Sequence, residues 1–377
     1  MDAKIPLGRG ILRDAPVRGT KMIQSLTTLR FFAAMFVVIH HVSLMAGNLM
    51  LVKAIGEVGW LGVSFFFILS GFVLMWSFEA QIPPGRYILR RLARIYPLHV
   101  ACLAVCLIFY FETGIVLGGH KGTVAATIAN FCLVQDWLPW HPEIRQAWNG
   151  VSWSLSCEFF FYSAAPFIFR RVLSIRSLQF AVLMTGIWLM VLALSFAHEE
   201  TITDFLIYHP VAKMAEFLLG AAGASLSKAG WRFRSPALAM ALMTLPVLAF
   251  QDFTPSPLND AATIEISFIP GCFLLIIAVA GHEIDGKRSW LQHPWLVQLG
   301  DASFALYMTH ALMLGLFGLF LEKFFNDRFY ASAPLEWSLV CLYAASAVLV
   351  AVAVHFGLER PARRRLLRLF EGRRRTT

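Results

Sequence analysis

Charged residues are scarce. Asp, Glu, Lys and Arg make up 15% of the 377 residues, against about 25% in soluble domains. A soluble enzyme of this size is therefore excluded, and so is a disordered chain, which needs high net charge and few apolar residues. Paired CxxC spacing is also missing. The six cysteines (Cys102, Cys106, Cys132, Cys157, Cys272 and Cys341) lie mostly inside apolar runs. They read as packing residues, not as a disulfide scaffold or metal ligands. The first 25 residues carry Lys4, Arg9, Arg13, Arg18 and Lys21 but no apolar core of a cleavable signal peptide. No repeat of fixed period occurs, and no stretch is left for a separate soluble domain.

What abounds is apolar surface: 58% hydrophobic residues, 33 Phe, 11 Trp and a mean hydropathy of +0.65. The chain reads as an all-α integral membrane protein. At about 20 apolar residues per crossing, ten spans are predicted: 26–47, 57–78, 96–117, 151–169, 178–197, 205–226, 236–251, 263–281, 296–319 and 335–357. With ten spans and a cytoplasmic N-terminus, the inner segments hold 25 of the 32 Lys and Arg, as the positive-inside rule demands. Both termini are then cytoplasmic. The shorter run 123–138 would invert this pattern if it crossed, so 118–150 reads as one long outer segment. The organisation predicted is a cytoplasmic segment 1–25, a ten-helix membrane domain 26–357 and a basic cytoplasmic tail 358–377. The net charge of +9 is an orientation signal and a contact for anionic membrane lipids, not a nucleic-acid footprint.

Ionisable side chains inside spans are costly and mark candidate sites. In the first span, LTTLRFFAAMFVVIHHV, Arg30 and His41 are eleven residues apart, which places them on one helix face about 16 Å apart along the axis. Glu158 in the fourth span, Lys213 and Glu216 in the sixth, and His310 in the ninth fall at a depth similar to that of His41. One buried polar cluster is predicted, in which a His–Glu pair is either a general base or a structural polar latch between helices. Ser303, Tyr307 and His310 share a face at i, i+4 and i+7, though hydroxyls and imidazoles also serve as helix-to-helix glue. Arg91 and Arg94, just before the third span, suit phosphate recognition, or equally a positive-inside anchor. Pro97 suits the first turn of that span. Trp137, Trp140, His141 and Trp148 in the outer segment suit either sugar stacking or an interfacial belt.

Five segments taken together resemble the acyltransferase 3 family of membrane O-acyltransferases: Arg30 with ten residues before His41, LGVSFFFILSGF at 61–72, Arg91-Leu-Ala-Arg94-Ile-Tyr-Pro, WSLSCEFFFY at 153–162 and LGDASFALYMTH at 299–310. Ser64 departs from the family, where Asp is frequent. The resemblance implies transfer of an acyl group, usually acetyl, from acyl-CoA (acetyl-CoA) as co-substrate to a hydroxyl of a glycan, lipid-linked sugar or other acceptor such as exopolysaccharide, in the inner (plasma) membrane and without a metal. It implies His41 as the essential histidine and Arg30, Arg91 and Arg94 as essential arginines holding the CoA phosphates. Glu158 would orient His41, and Tyr307 or Ser303 would donate to the oxyanion. The rival class is a transporter or carrier of glycan or lipid intermediates with a buried His/Glu/Lys relay. Against it stands the lack of a matching pair of interrupted spans in the sequence.

Overall fold

The computed structural model describes residues 22–45, 49–173, 175–196, 199–252, 261–324 and 333–372. The cations predicted inside at 1–21 and 373–377 lie outside the described residues. Sixteen α-helices are described, with short 3-10 turns between some of them and no strand. The first is α1 (Gln24–Ser43), followed by the short α2 (Met50–Gly56) and by α3 (Gly62–Trp76). The long α4 (Pro84–Thr113) leads into the outer segment, which holds α5 (Val124–Phe131) and α6 (Pro142–Arg145). Then come α7 (Trp153–Val172), α8 (Ser177–Ser195), α9 (Glu200–Tyr208), α10 (Pro210–Lys228) and α11 (Pro236–Asp252). The last are α12 (Ala261–Ile284), α13 (Pro294–Asp301), α14 (Ser303–Phe324), α15 (Ala333–Val354) and α16 (Arg360–Gly372).

Among the described residues, every predicted span falls on a helix, and seven helices are long and apolar enough to cross a bilayer: Gln24–Ser43, Gly59–Trp76, Pro84–Thr113, Ser177–Ser195, Ala261–Ile284, Ser303–Phe324 and Ala333–Phe370. The other three predicted spans fall on α7, on α9 with α10, and on α11. Each falls short for a visible reason. α7 carries Glu158, Arg170 and Arg171. The sixth predicted span is broken at His209, whose backbone is extended before Pro210, since a residue preceding proline is pushed out of the α region. α11 is 17 residues long.

One expectation is corrected. Pro97 lies inside α4, not in its first turn: the helix starts thirteen residues earlier, at Pro84, where proline presets the first turn. The arginine-rich stretch is therefore the beginning of the same rod. Interrupted helices also exist. Besides the break at His209, the ninth predicted span passes from α13 to α14 at Ala302; both positions fall in the second half of the chain, so they do not form a matching pair across the two halves.

The 118–150 segment is not a span. It folds as α5, α6, a 3-10 turn at Gln135–Trp137 and two isolated bridges, Gly118 with Asn149 and His120 with Ala147. It is tied to the bundle at buried points: Asn149 Nδ2 donates to Met308 O (3.0 Å), and Gln135 Nε2 donates to Ser152 O (2.8 Å). α3 and α10 cross at the centre of the bundle, while α8 is mostly exposed, as a lipid-facing helix should be.

Candidate active site

Because α1 is continuous, Arg30 and His41 do share one face. The partner of His41 is on α14: His41 Nδ1 lies 3.3 Å from His310 Nε2, with ring centroids 4.9 Å apart. His310 is fully buried, and its Nδ1 lies 2.7 Å from Tyr307 O and 3.2 Å from Leu306 O. Carbonyl oxygens only accept, so His310 Nδ1 holds the proton and Nε2 is an acceptor. His41 Nδ1 in turn faces two acceptors, Val37 O (3.0 Å) and His310 Nε2. It must carry the hydrogen, and in the neutral ring the lone pair is left on His41 Nε2. Tyr343 closes the arrangement by donating to His310 O at 2.8 Å.

The other predicted residues are not all gathered here. Glu158 does not orient His41; its carboxylate accepts from Tyr162 Oη at 2.8 Å. Glu158 and Tyr162 belong with Arg30, Arg94 and Asp301, which lie within electrostatic reach of one another, and Arg91 acts on Tyr162 from α4. Counting residues along a span does not give the neighbour a side chain faces, and the group that meets His41 is His310. Tyr307 Oη gives its one proton to Val151 O (2.8 Å), so Ser154 Oγ, also at 2.8 Å, donates to it. That proton is already committed and not aimed at a reacting group. Ser303 is buried at the first residue of α14, about 10 Å along the axis from His310. Arg91 stacks over Tyr87 at 5.4 Å. The guanidiniums of α1 and α4 thus lie at one end of the Arg30–His41 face and the imidazoles at the other.

Lys213 and Glu216 form a third network. Lys213 Nζ is 2.7 Å from Glu216 Oε1 and 2.6 Å from Glu265 Oε2, and Ser64 Oγ donates to Glu265 Oε1. The single polar cluster predicted from depth is therefore three networks. Glu265, Tyr162 and Asp301 were missed by sequence reasoning, although Glu265 stands alone in the apolar run TIEISF and Tyr162 follows Glu158 by one helical turn. Cys157 is fully buried, and its Sγ faces Tyr208 O at 3.3 Å. All six thiols are free.

In the outer segment, Trp148 is buried and its Nε1 donates to Thr127 Oγ1 (2.8 Å), so it is part of the local core and not a stacking surface. Trp137 and Trp140 remain exposed. Asp136 is fully buried, and neither carboxylate oxygen has a hydrogen-bond partner. Burial pushes its carboxyl well above the ordinary range, and the charges of Arg145 and Lys213 pull it only part of the way back. A carboxyl raised in the folded state contributes stability while it is protonated, and that stability is lost as pH rises through the folded-state value. Asp136→Asn stays neutral and should unfold at a higher temperature than the parent on the alkaline side, with a flatter pH profile. Thermal unfolding in detergent across pH reads this directly, and an unchanged alkaline loss would remove Asp136 as its source.

With this geometry in view, the comparisons agree on one class. The chain is similar to acyltransferase MdmB of Streptomyces mycarofaciens, at 32% identity over 94% of this chain and 93% of the relative. It is also similar to the exopolysaccharide production protein ExoZ of Rhizobium meliloti (strain 1021), at 27% identity over 82% of this chain and 90% of the relative. No solved structure matches. Residues 23–356 match the model of the acyltransferase 3 family, described as an acyltransferase domain, and with seven helices able to cross a bilayer the chain belongs to that family of membrane acyltransferases.

Proposed function

We propose that the protein transfers an acyl group, acetyl in the simplest case, from acyl-CoA to a hydroxyl of a glycan or lipid-linked sugar, with His41 as general base. The observation that carries this reading is the chain Tyr307 O, His310, His41, which leaves His41 Nε2 as a proton acceptor on the same helix face as Arg30. In the reaction, the hydroxyl oxygen attacks the thioester carbon while its proton passes to His41 Nε2. The tetrahedral intermediate then collapses, the carbon–sulfur bond breaks, and the imidazolium returns the proton to the departing thiolate. Arg30, Arg91 and Arg94 would hold the donor's phosphates, because guanidinium forks bind phosphate oxygens in pairs. Glu158 and Asp301 would keep Arg30 and Arg94 from repelling one another before the donor arrives.

The charge distribution supports ten spans across residues 26–357, both termini in the cytoplasm and donor entry from the cytoplasmic side of an inner (plasma) membrane. The name of ExoZ favours an exopolysaccharide acceptor. The test is purified protein with radiolabelled acetyl-CoA and candidate acceptors: an acyltransferase moves label into the acceptor. A carrier moves none. In the same assay Arg94→Ala should raise the KM for acyl-CoA about tenfold or more, the worth of one charge-assisted bond, with a smaller change in kcat. Equal donor affinity in parent and variant would make Arg94 a membrane anchor.

A further inference from the structure

The network of Lys213, Glu216, Glu265 and Ser64 contains two carboxylates and one ammonium. Glu265 is fully served: one oxygen faces Lys213 Nζ and the other accepts from Ser64. Glu216 is not. Its Oε1 accepts from Lys213, but its Oε2 has no hydrogen-bond partner, although the residue is only 6% exposed. Glu216 also borders a cavity of about 10 Å³ between α8, α9, α10 and α12, shared with Glu265, Trp188, Leu206, Ala215 and Ile269. That is close to the room one water needs.

We propose that Glu216 Oε2 holds a resident proton, making this centre a proton-binding site in which a neutral Glu216 sits beside the Lys213–Glu265 ion pair. An uncompensated carboxylate in an apolar interior costs several kcal/mol even after relaxation, and such a group neutralises instead of remaining charged. A metal cation is a poorer occupant. Hard cations require about six oxygen ligands, whereas the remaining cavity lining is aromatic and aliphatic. Ser64 supplies what an acid proton needs. It lies beside both carboxylates, spends its one hydrogen on Glu265 and keeps its lone pairs.

The surrounding groups leave the count open by one charge. Cys272 on α12 and Cys157 on α7 lie within electrostatic range of Glu216, and both thiols are buried. Asp136 approaches Lys213 from the outer segment, but burial holds it neutral, and Arg145 beside it lies 3.9 Å from the Asp204 carboxylate, so neither adds a net charge to this centre. Removing the Glu216 proton would place an extra negative charge where α3, α10 and α12 meet.

The experiment is infrared spectroscopy of the full chain in lipid at neutral pH, with thermal unfolding measured in parallel. The parent should show protonated carboxylic acid absorption that shifts in heavy water; on an Asp136→Asn background, which removes the other buried neutral acid, the band that remains should disappear in Glu216→Gln, whose unfolding temperature stays at that background's value because Gln reproduces the neutral acid. Glu265→Gln, which removes the ion-paired carboxylate, should unfold at a distinctly lower temperature. A parent spectrum without a buried-acid band overturns the proposal with no variant needed. So does a band that survives Glu216→Gln on the Asp136→Asn background, a reversed order of stability between the two Glu variants, or stability that rises with sodium in place of protons.

Discussion

Replacement of His41 by alanine is expected to lower the turnover of acyl transfer by about 10²–10⁴-fold, the usual contribution of a general base, while the KM for acyl-CoA stays near the parent value. The split follows from the geometry. His41 lies three turns from Arg30 along α1, so its removal leaves the arginines, Glu158, Tyr162 and Asp301 in place. His310→Ala should cost less, about tenfold, because Val37 O still accepts from His41 Nδ1 at 3.0 Å and preserves the productive tautomer without fixing the ring. His310 is thus a positioning residue. Labelled acetyl transfer by purified, monodisperse variants checks both. Full activity in His41→Ala would take the imidazole out of the chemistry, and a rise in donor KM alone would assign it to binding.

Much of this site was legible in the sequence because helices convert spacing into direction. The eleven-residue interval of Arg30 and His41 set a shared face before any coordinates, and the i, i+4, i+7 series placed Tyr307 and His310 on the same side of α14. What spacing does not carry is the azimuth of one helix against another. Glu158 has the right depth to meet His41, yet its face of α7 turns to Tyr162 and the arginines. Glu265 went unnoticed because a single acid in an apolar run has no partner within its own helix; Lys213 comes from α10 and Ser64 from α3. The break at His209 was announced by Pro210, but the apolar character of 205–226 ran through it unbroken. Hydropathy reports the solvent around a segment, not the path of its backbone.

The crossing of α3 and α10 brings Ser64 to Lys213 and its carboxylates, and it rests on two glycines. A Cβ on Gly71 would lie 1.7 Å from Phe217 O, and one on Gly220 would lie 1.8 Å from Ile68 O. The contacts are reciprocal and the obstacle in each is backbone carbonyl, so no rotamer change relieves them. Small residues let helix backbones approach this closely in a membrane. Gly220→Ala should therefore destabilise by about 2 kcal/mol or more, at or above the middle of the overpacking range, and Gly220→Leu should leave little folded protein. The two glycines serve one contact, so Gly71→Ala together with Gly220→Ala should cost less than the sum of the single changes: the first already separates the helices. Gly186→Ala on α8 is the control, with nothing within 4 Å of its added Cβ, and should be neutral or slightly stabilising. Thermal unfolding of the four alanine variants in detergent decides the matter. Equal stability of Gly220→Ala and Gly186→Ala would mean that the helices do not touch where the structure has them touch, and the Lys213 centre they enclose would lose its frame.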